Sequence, residues 1–305
     1  VAVLGLGLLG GSVAWAARRR GLARRVVGAT RRSDVLEAAL RRGAVDEVGD
    51  PEQAVRGADL VVLATPLFAM GDLVRRIAPA LAPGVLLTDV GSVKGPLVET
   101  LPGLLPRGAR FVGAHPMAGS HHSGFGHADP DLFEGAACVV TGSPDDPDVA
   151  RVSAFWSALG ARVRIRQAAE HDAQVAWVSH LPHLLAFAFS RALADAPPGA
   201  AELAGPGFHD FTRIARADPE LWADILTANR KALGAPLQAV AASLSELGRA
   251  VEAGDSETVE RCLSAARAEL ARISAALPAR DPRAPDSQPQ PPSGSPGRGQ
   301  EPNES

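Results

Sequence analysis

The sequence predicts an α/β fold: a Rossmann-type dinucleotide-binding domain followed by an all-α domain. Three observations carry this expectation. Short apolar runs alternate with helical stretches through the first half, a glycine-rich turn opens that series, and strand-like runs cease after about Gln167.

The opening run "VAVLGLG" reads as a strand and "GSVAWAARRRG" as the helix that follows it. "RRVVGAT" is the second strand, and "SDVLEAALRRG" is a helix with Ser33 as its N-cap, because a serine oxygen accepts a free N–H of the first turn. "ADLVVLATP" (58–66), "GVLLTDVGS" (84–92), "ARFVGAHPM" (109–117), "ACVVTGS" (137–143) and "RVRIRQ" (162–167) continue the series. Apolar strands separated by helices of about 10–15 residues indicate βαβ units and a parallel sheet covered on both faces.

Beyond Gln167 the stretches "AAEHDAQVAWVSHLPHLLAFAFSRALADA", "DPELWADILTANRKALGAPLQAVAASLSELGRAVEAG" and "SETVERCLSAARAELARISAAL" are long, Ala/Leu-rich and helically periodic. They carry more apolar surface than so small a bundle buries against itself, which predicts a homodimer through this domain. Eight of the 25 prolines lie from Pro278 onward, among Ser, Gln and Gly. Such a segment cannot offset its ordering entropy. The expected division is therefore 1–168 for the NAD(P)-binding domain, 169–278 for a helical substrate and dimerisation domain, and 279–305 for a disordered Pro-rich tail.

Composition narrows the function classes. Lys+Arg 31 against Asp+Glu 34 gives a net charge of −3, so no basic field for nucleic acid exists. Cys138 and Cys262 lack CxxC spacing and read as small hydrophobes of a reducing compartment. No apolar run reaches the ~18 residues that span a membrane, and no signal peptide precedes the first strand. A soluble cytoplasmic protein that binds a small molecule is expected.

The motif Gly5-x-Gly7-x-x-Gly10 follows an apolar strand and opens a helix, with Leu8 and Leu9 inside the turn. In that context the glycines permit a tight turn and close approach of a pyrophosphate to a helix N-terminus. An NAD site normally has an acid about 20 residues on, bonding the ribose 2′-hydroxyl. Here Thr30, Arg31 and Arg32 stand at the end of the second strand. Two guanidinium groups suit a 2′-phosphate better, which tilts NAD or NADP toward NADP. Strand ends are where open α/β sheets bind ligands, which adds Thr65 and Asp89 to the cofactor set and places Ser92 and Lys94 nearby.

"GAHPMAGSHHSGFGHADP" (113–130) holds four of the eight histidines: His115, His121, His122 and His127. A metal cluster, a catalytic base and a polar loop all fit that count. His180 and His183 sit at i, i+3, a spacing compatible with metal. They lack a carboxylate partner, and Pro182 stands between them, so a kinked helix lining a pocket is expected and no metal.

Five motifs then occur together and in order: "GLGLLGGS", "TDVGSVK", "GAHPMAGS" with "HHSG", "HDAQVAWVSHLPH" and "GPGFHDFTRIARADPELWADI". In this the chain resembles the prephenate/arogenate dehydrogenases of tyrosine biosynthesis, over residues 1 to about 278. The resemblance implies oxidative decarboxylation of prephenate to 4-hydroxyphenylpyruvate, or of arogenate to tyrosine. It implies His115 as the partner and base of the substrate hydroxyl, supported by Ser92. It further implies Arg213 on a substrate carboxylate, His183 at the substrate pocket and Ser120 as a loop contact. The position after "HPMAGS" is commonly acidic in the family, whereas this chain has His121, a potential cation where an ammonium group would be received. That departure favours prephenate over arogenate. The rival readings are arogenate dehydrogenase, a non-catalytic dinucleotide-binding sensor, and a zinc enzyme using the loop histidines.

Overall fold

A computed structural model describes residues 1–118 and 123–275. The strands β1 (Ala2–Leu4), β2 (Val27–Ala29), β3 (Glu47–Val48), β4 (Leu60–Leu63), β5 (Leu86–Asp89) and β6 (Arg110–Phe111) form one sheet. All neighbours are parallel, in the order β3-β2-β1-β4-β5-β6. The helices α1 (Leu8–Arg19), α2 (Ser33–Arg41), α3 (Pro51–Ala54), α4 (Met70–Ile77) and α5 (Gly95–Thr100) make the connections. Alternation along β1 explains why both faces are covered. Val3 packs with Val13 and Ala16 of α1, while Ala2 and Leu4 pack with Met70, Val74 and Ile77 of α4. The chain winds outward from β1 toward β3, then returns to β4 and winds the other way. The switch point between β1 and β4 is where such sheets open a ligand crevice.

The expectation of one continuous parallel series needs correction. After β6 the chain leaves the sheet, and β7 (Ala114–Pro116), β8 (Ala137–Thr141) and β9 (Arg162–Arg166) make a separate three-stranded sheet. Within it β7 runs antiparallel to β8, and β8 runs parallel to β9 across α6 (Pro147–Ala158). The break inside "ARFVGAHPM" falls at Gly113, where a Cβ would lie 2.8 Å from the Thr141 hydroxyl oxygen and 3.3 Å from Lys94 Cδ. A side chain here would require Thr141 to shift, and the strand beyond carries His115.

Ser33 also departs from expectation. It is the first residue of α2, while Arg32 holds the cap position without a side-chain bond and pairs with Asp34 at 2.6 Å.

Beyond β9 the described residues are helical: α7 (Ala168–Val175), α8 (Leu181–Ala192), α9 (Pro206–Thr212), α10 (Pro219–Ala228), α11 (Arg230–Glu252) and α12 (Ser256–Ser274). The expected kink at Pro182 takes the form of a π-helical turn, Ala176–His180, closed by the Leu181 N–H on the Ala176 carbonyl. The wide turn lets Pro182, which has no N–H, enter α8 in its first turn. Asp218 caps α10 by accepting from the N–H groups of Glu220 and Leu221. The chain divides into two compact units, Val1–Arg249 and the segment from Ala250 onward. Ser120, His121, His122 and the tail 279–305 lie outside the described residues.

Candidate active site

At the switch point the glycine turn separates into two structural glycines and one open one. Gly5 has φ +101°, and a Cβ there would overlap the Ala64 carbonyl. A Cβ on Gly10 would overlap the Gly5 carbonyl oxygen and stand 2.7 Å from Ala64 Cβ, so glycine here permits α1 to lie against the sheet. Gly7 meets nothing within 4 Å. It caps α1 without a side-chain bond, and no acidic residue occupies the first turn, where Leu8 and Leu9 are half-buried. The first-turn N–H groups and the positive helix end are therefore left for an outside anion. Thr65, at the end of β4, has a buried hydroxyl oxygen with no partner among the described residues. Thr30 is half-buried at the end of β2, and Arg31 and Arg32 are exposed beyond it. An uncapped helix end, an open glycine and an orphaned hydroxyl suit a dinucleotide.

Asp89, expected at the cofactor, is occupied elsewhere. It forms an ion pair with Lys94 in which both side chains are fully buried. Its Oδ2 accepts the Gly91 N–H at 2.8 Å and its Oδ1 accepts the Ala114 N–H at 3.0 Å. Lys94 Nζ in turn donates to the Ala114 carbonyl at 2.7 Å. The ion pair thus grips both backbone polar groups of Ala114, one residue before His115. Its task is to hold β7 against the β5–α5 loop.

His115 is half-buried on β7, and its Nδ1 lies 2.9 Å from Nε2 of His171. The rings meet edge to face, with centroids 5.1 Å apart. His171 Nδ1 lies 2.7 Å from Oδ1 of Asp172. The same carboxylate accepts the Lys94 N–H at 2.8 Å and the Gly95 N–H at 2.7 Å, closing the start of α5. Burial pushes the Asp172 carboxyl up, but the bonds from His171, Lys94 and Gly95 outweigh it and hold its pKa below the ordinary value. Burial drives His115 well below the usual histidine range, and neighbouring His171, Lys94 and His180 add to the effect. A neutral imidazole at physiological pH is the consequence. Ser92 is half-buried in the adjoining loop and makes no hydrogen bond to His115; the partner on Nδ1 is His171.

The π turn and α8 supply two further histidines. His180 is buried, and its Nδ1 lies 2.8 Å from the Asn229 amide nitrogen, which also donates to the Asp172 carbonyl at 2.9 Å. Burial pushes its pKa down to about 4, with Asp172 opposing and His171 and His183 assisting. His183 lies flat on Trp222, with centroids 3.7 Å apart, and its Nδ1 donates to the Ser179 carbonyl at 2.9 Å. Burial lowers its pKa, the Ser179 bond opposes this, and Arg213 lowers it further. Arg213 is exposed, and among the described residues neither Asp210 nor any other acid pairs with it. Its guanidinium is available to an anionic ligand. Trp222 packs with Val93, Ile225 and Ala228, so the β5–α5 loop and α10 share one small core beneath these side chains. Among the described residues no group of three His, Cys, Asp or Glu side chains has metal-binding geometry. His171, Asp172, Lys94 and Asn229 complete the arrangement. The "HD" pair carried the signal, yet it lies 56 residues from His115, and nothing local to either segment tells that they meet.

Fold and site together define a nicotinamide-dinucleotide-dependent dehydrogenase. Residues 13–165 match the family described as prephenate dehydrogenase, nucleotide-binding domain, and residues 167–265 match prephenate dehydrogenase, dimerization domain. The chain belongs to the prephenate dehydrogenase family. It is 33% identical over 265 residues to a prephenate dehydrogenase of Lactococcus lactis, covering 85% of this chain and 73% of that one. The prephenate dehydrogenase of A. aeolicus, solved with hydroxyphenyl propionate and NAD+, superposes with a TM-score of 0.81 at 29% identity, covering 89% and 97% of the two chains. Synechocystis arogenate dehydrogenase superposes with a TM-score of 0.75 at 32% identity, covering 89% and 99%. No helix among the described residues is long and apolar enough to cross a membrane.

Proposed function

We propose that this chain is an NAD(P)-dependent prephenate dehydrogenase, with residues 1–168 binding the dinucleotide and 169–278 the substrate. The observation that carries the reading is His115, a neutral imidazole held through Nδ1 by His171, in a fold with an open dinucleotide turn. A bound nicotinamide supplies the acceptor for the hydride leaving the carbinol carbon of the substrate ring. His115 takes the proton of the ring hydroxyl as that hydride leaves. The ring carboxylate then departs as CO2, its bonding electrons enter the ring, and the resulting phenolate takes the proton back from His115. No net proton is released, and aromatisation drives the step forward. Arg213 receives a substrate carboxylate and His183 lines the same pocket on its Trp222 platform. Ser92 borders the pocket, and Ser120 and His121 are assigned to the substrate on their place in the motif alone.

NADP is the cofactor favoured by this reading. Arg32 is engaged by Asp34, which leaves Arg31 as the guanidinium free to meet a 2′-phosphate. Prephenate is favoured over arogenate because His121 stands where the family commonly has an acid. A homodimer is favoured by α12, which exposes Leu263, Leu270 and Ile273 along one helical face.

The test is a two-by-two assay of prephenate and arogenate with NAD and NADP, followed by NAD(P)H absorbance. Turnover of prephenate, faster with NADP, is expected. Turnover of arogenate alone would reassign the substrate, and turnover of neither would remove the enzymatic reading.

A further inference from the structure

The hydrogen bonds around His115 form a directed chain. Asp172 Oδ1 already accepts the Lys94 N–H, and an ionised carboxylate has only acceptor sites, so the 2.7 Å contact to His171 places a proton on His171 Nδ1. A neutral His171 then has a bare Nε2, which can only accept. The 2.9 Å contact from that atom to His115 Nδ1 therefore places a proton on His115 Nδ1. A proton on His171 Nε2 as well would reverse this bond and add a second buried cation to a site where Lys94 already carries one, so the geometry favours the uncharged pair.

We propose that His171 and Asp172 are positioning residues that hold His115 in the Nδ1–H tautomer, leaving His115 Nε2 as the atom that takes the substrate proton. The inference rests on the proposed reaction for its use, but the tautomer itself does not depend on it. The arrangement also explains why one carboxylate serves both α5 and α7. Asp172 is fixed by the Lys94 and Gly95 N–H groups, so its charge cannot swing away from His171. When His115 takes a proton, the imidazolium keeps its Nδ1–H on His171 and lies two bonds from a fixed negative charge. Among the described residues, the charged and titratable groups around His115 are Asp89 and Lys94 from the β5–α5 side, His171 and Asp172 from α7, and His180 from the π turn. Cys138 on β8 is a neutral thiol there, since burial pushes its pKa well up.

Two measurements test this. Imidazole 15N NMR of the wild-type protein near pH 7 should show His115 protonated at Nδ1 and bare at Nε2. The opposite tautomer, or a doubly protonated His171, would overturn the proposal whatever the enzyme turns over. In the steady state, His171→Ala should lower kcat on the order of 10²-fold, with KM and cofactor Kd little changed. The acid limb of its kcat/KM profile should also shift. His171→Gln, whose amide oxygen can accept the His115 Nδ1–H, should recover at least about tenfold of that loss. A folded His171→Ala protein with wild-type kcat and an unshifted profile would show that His171 merely fills space. Wild-type protein inactive on every substrate would sink the reaction, while the NMR result would still decide the tautomer.

Discussion

The imidazole of His183 lies on the indole of Trp222, with centroids 3.7 Å apart and planes 17° from parallel. A ring stacked this closely has one orientation, and the bond from its Nδ1 to the Ser179 carbonyl fixes the other edge, leaving Nε2 as the free nitrogen. Removing the platform should loosen substrate binding more than chemistry. Trp222→Leu is expected to raise KM about tenfold while changing kcat by a small factor, the pattern of lost ground-state binding. Trp222→Phe, which keeps an aromatic face, should restore most of the affinity. An equal fall in kcat and kcat/KM would place His183 in the chemical step instead.

His115 makes the opposite prediction. His115→Asn should lower kcat by about 10²–10⁴-fold and leave cofactor Kd nearly intact, as for loss of a general base. The base must be unprotonated to act, so a pKa held low by burial and by His171 extends activity toward acid. The wild-type kcat/KM profile should therefore stay flat through the ordinary histidine range and fall only below it. An acid limb at the usual histidine value would contradict the buried, neutral assignment.

His180 links the site to stability. Its folded pKa of about 4 lies below the unfolded value of 6.5. Above that value neither state is protonated at His180, and its contribution is fully present. As pH falls the unfolded chain takes up the proton first, and stability is lost progressively down to the folded pKa. The shift corresponds to at most about 3 kcal/mol. Urea midpoints measured near pH 7 and near pH 5 should differ, and His180→Gln should shrink that difference. A pH-independent midpoint in the wild-type protein would show that His180 titrates normally.

The sheet, the glycine turn and the helical second half were legible in the sequence because each is written in contiguous residues: a period, a spacing, a composition. His115 was legible only through its motif. The His115–His171 contact was not, because the two residues meet only once β7 has left the main sheet for a second one, an arrangement that no local spacing encodes. Asp89 shows the same limit from the other side. A carboxylate at a strand end looks like a ligand group, and only the fold reveals that Lys94, Gly91 and Ala114 take up its oxygens. Periodicity likewise could not distinguish a kink at Pro182 from the π turn that precedes it, since both leave the same apolar spacing.

The glycine turn permits a prediction that separates folding from binding. Gly7 and Gly10 belong to one motif, yet an added methyl group meets open space at Gly7 and the Gly5 carbonyl at Gly10. Gly10→Ala should therefore destabilise the protein itself, because α1 must move away from the sheet to admit the methyl group. Gly7→Ala should leave the melting temperature of the ligand-free protein within a few degrees of wild type. Its methyl group stands at the uncapped end of α1, where a pyrophosphate would approach the first-turn N–H groups. Cofactor Kd in Gly7→Ala should rise by at least tenfold, and the thermal stabilisation expected of the wild-type protein on adding NAD(P) should disappear. Undiminished binding in Gly7→Ala would mean that the dinucleotide does not lie across this helix end, and the Thr30–Arg31–Arg32 argument for NADP would fall with it.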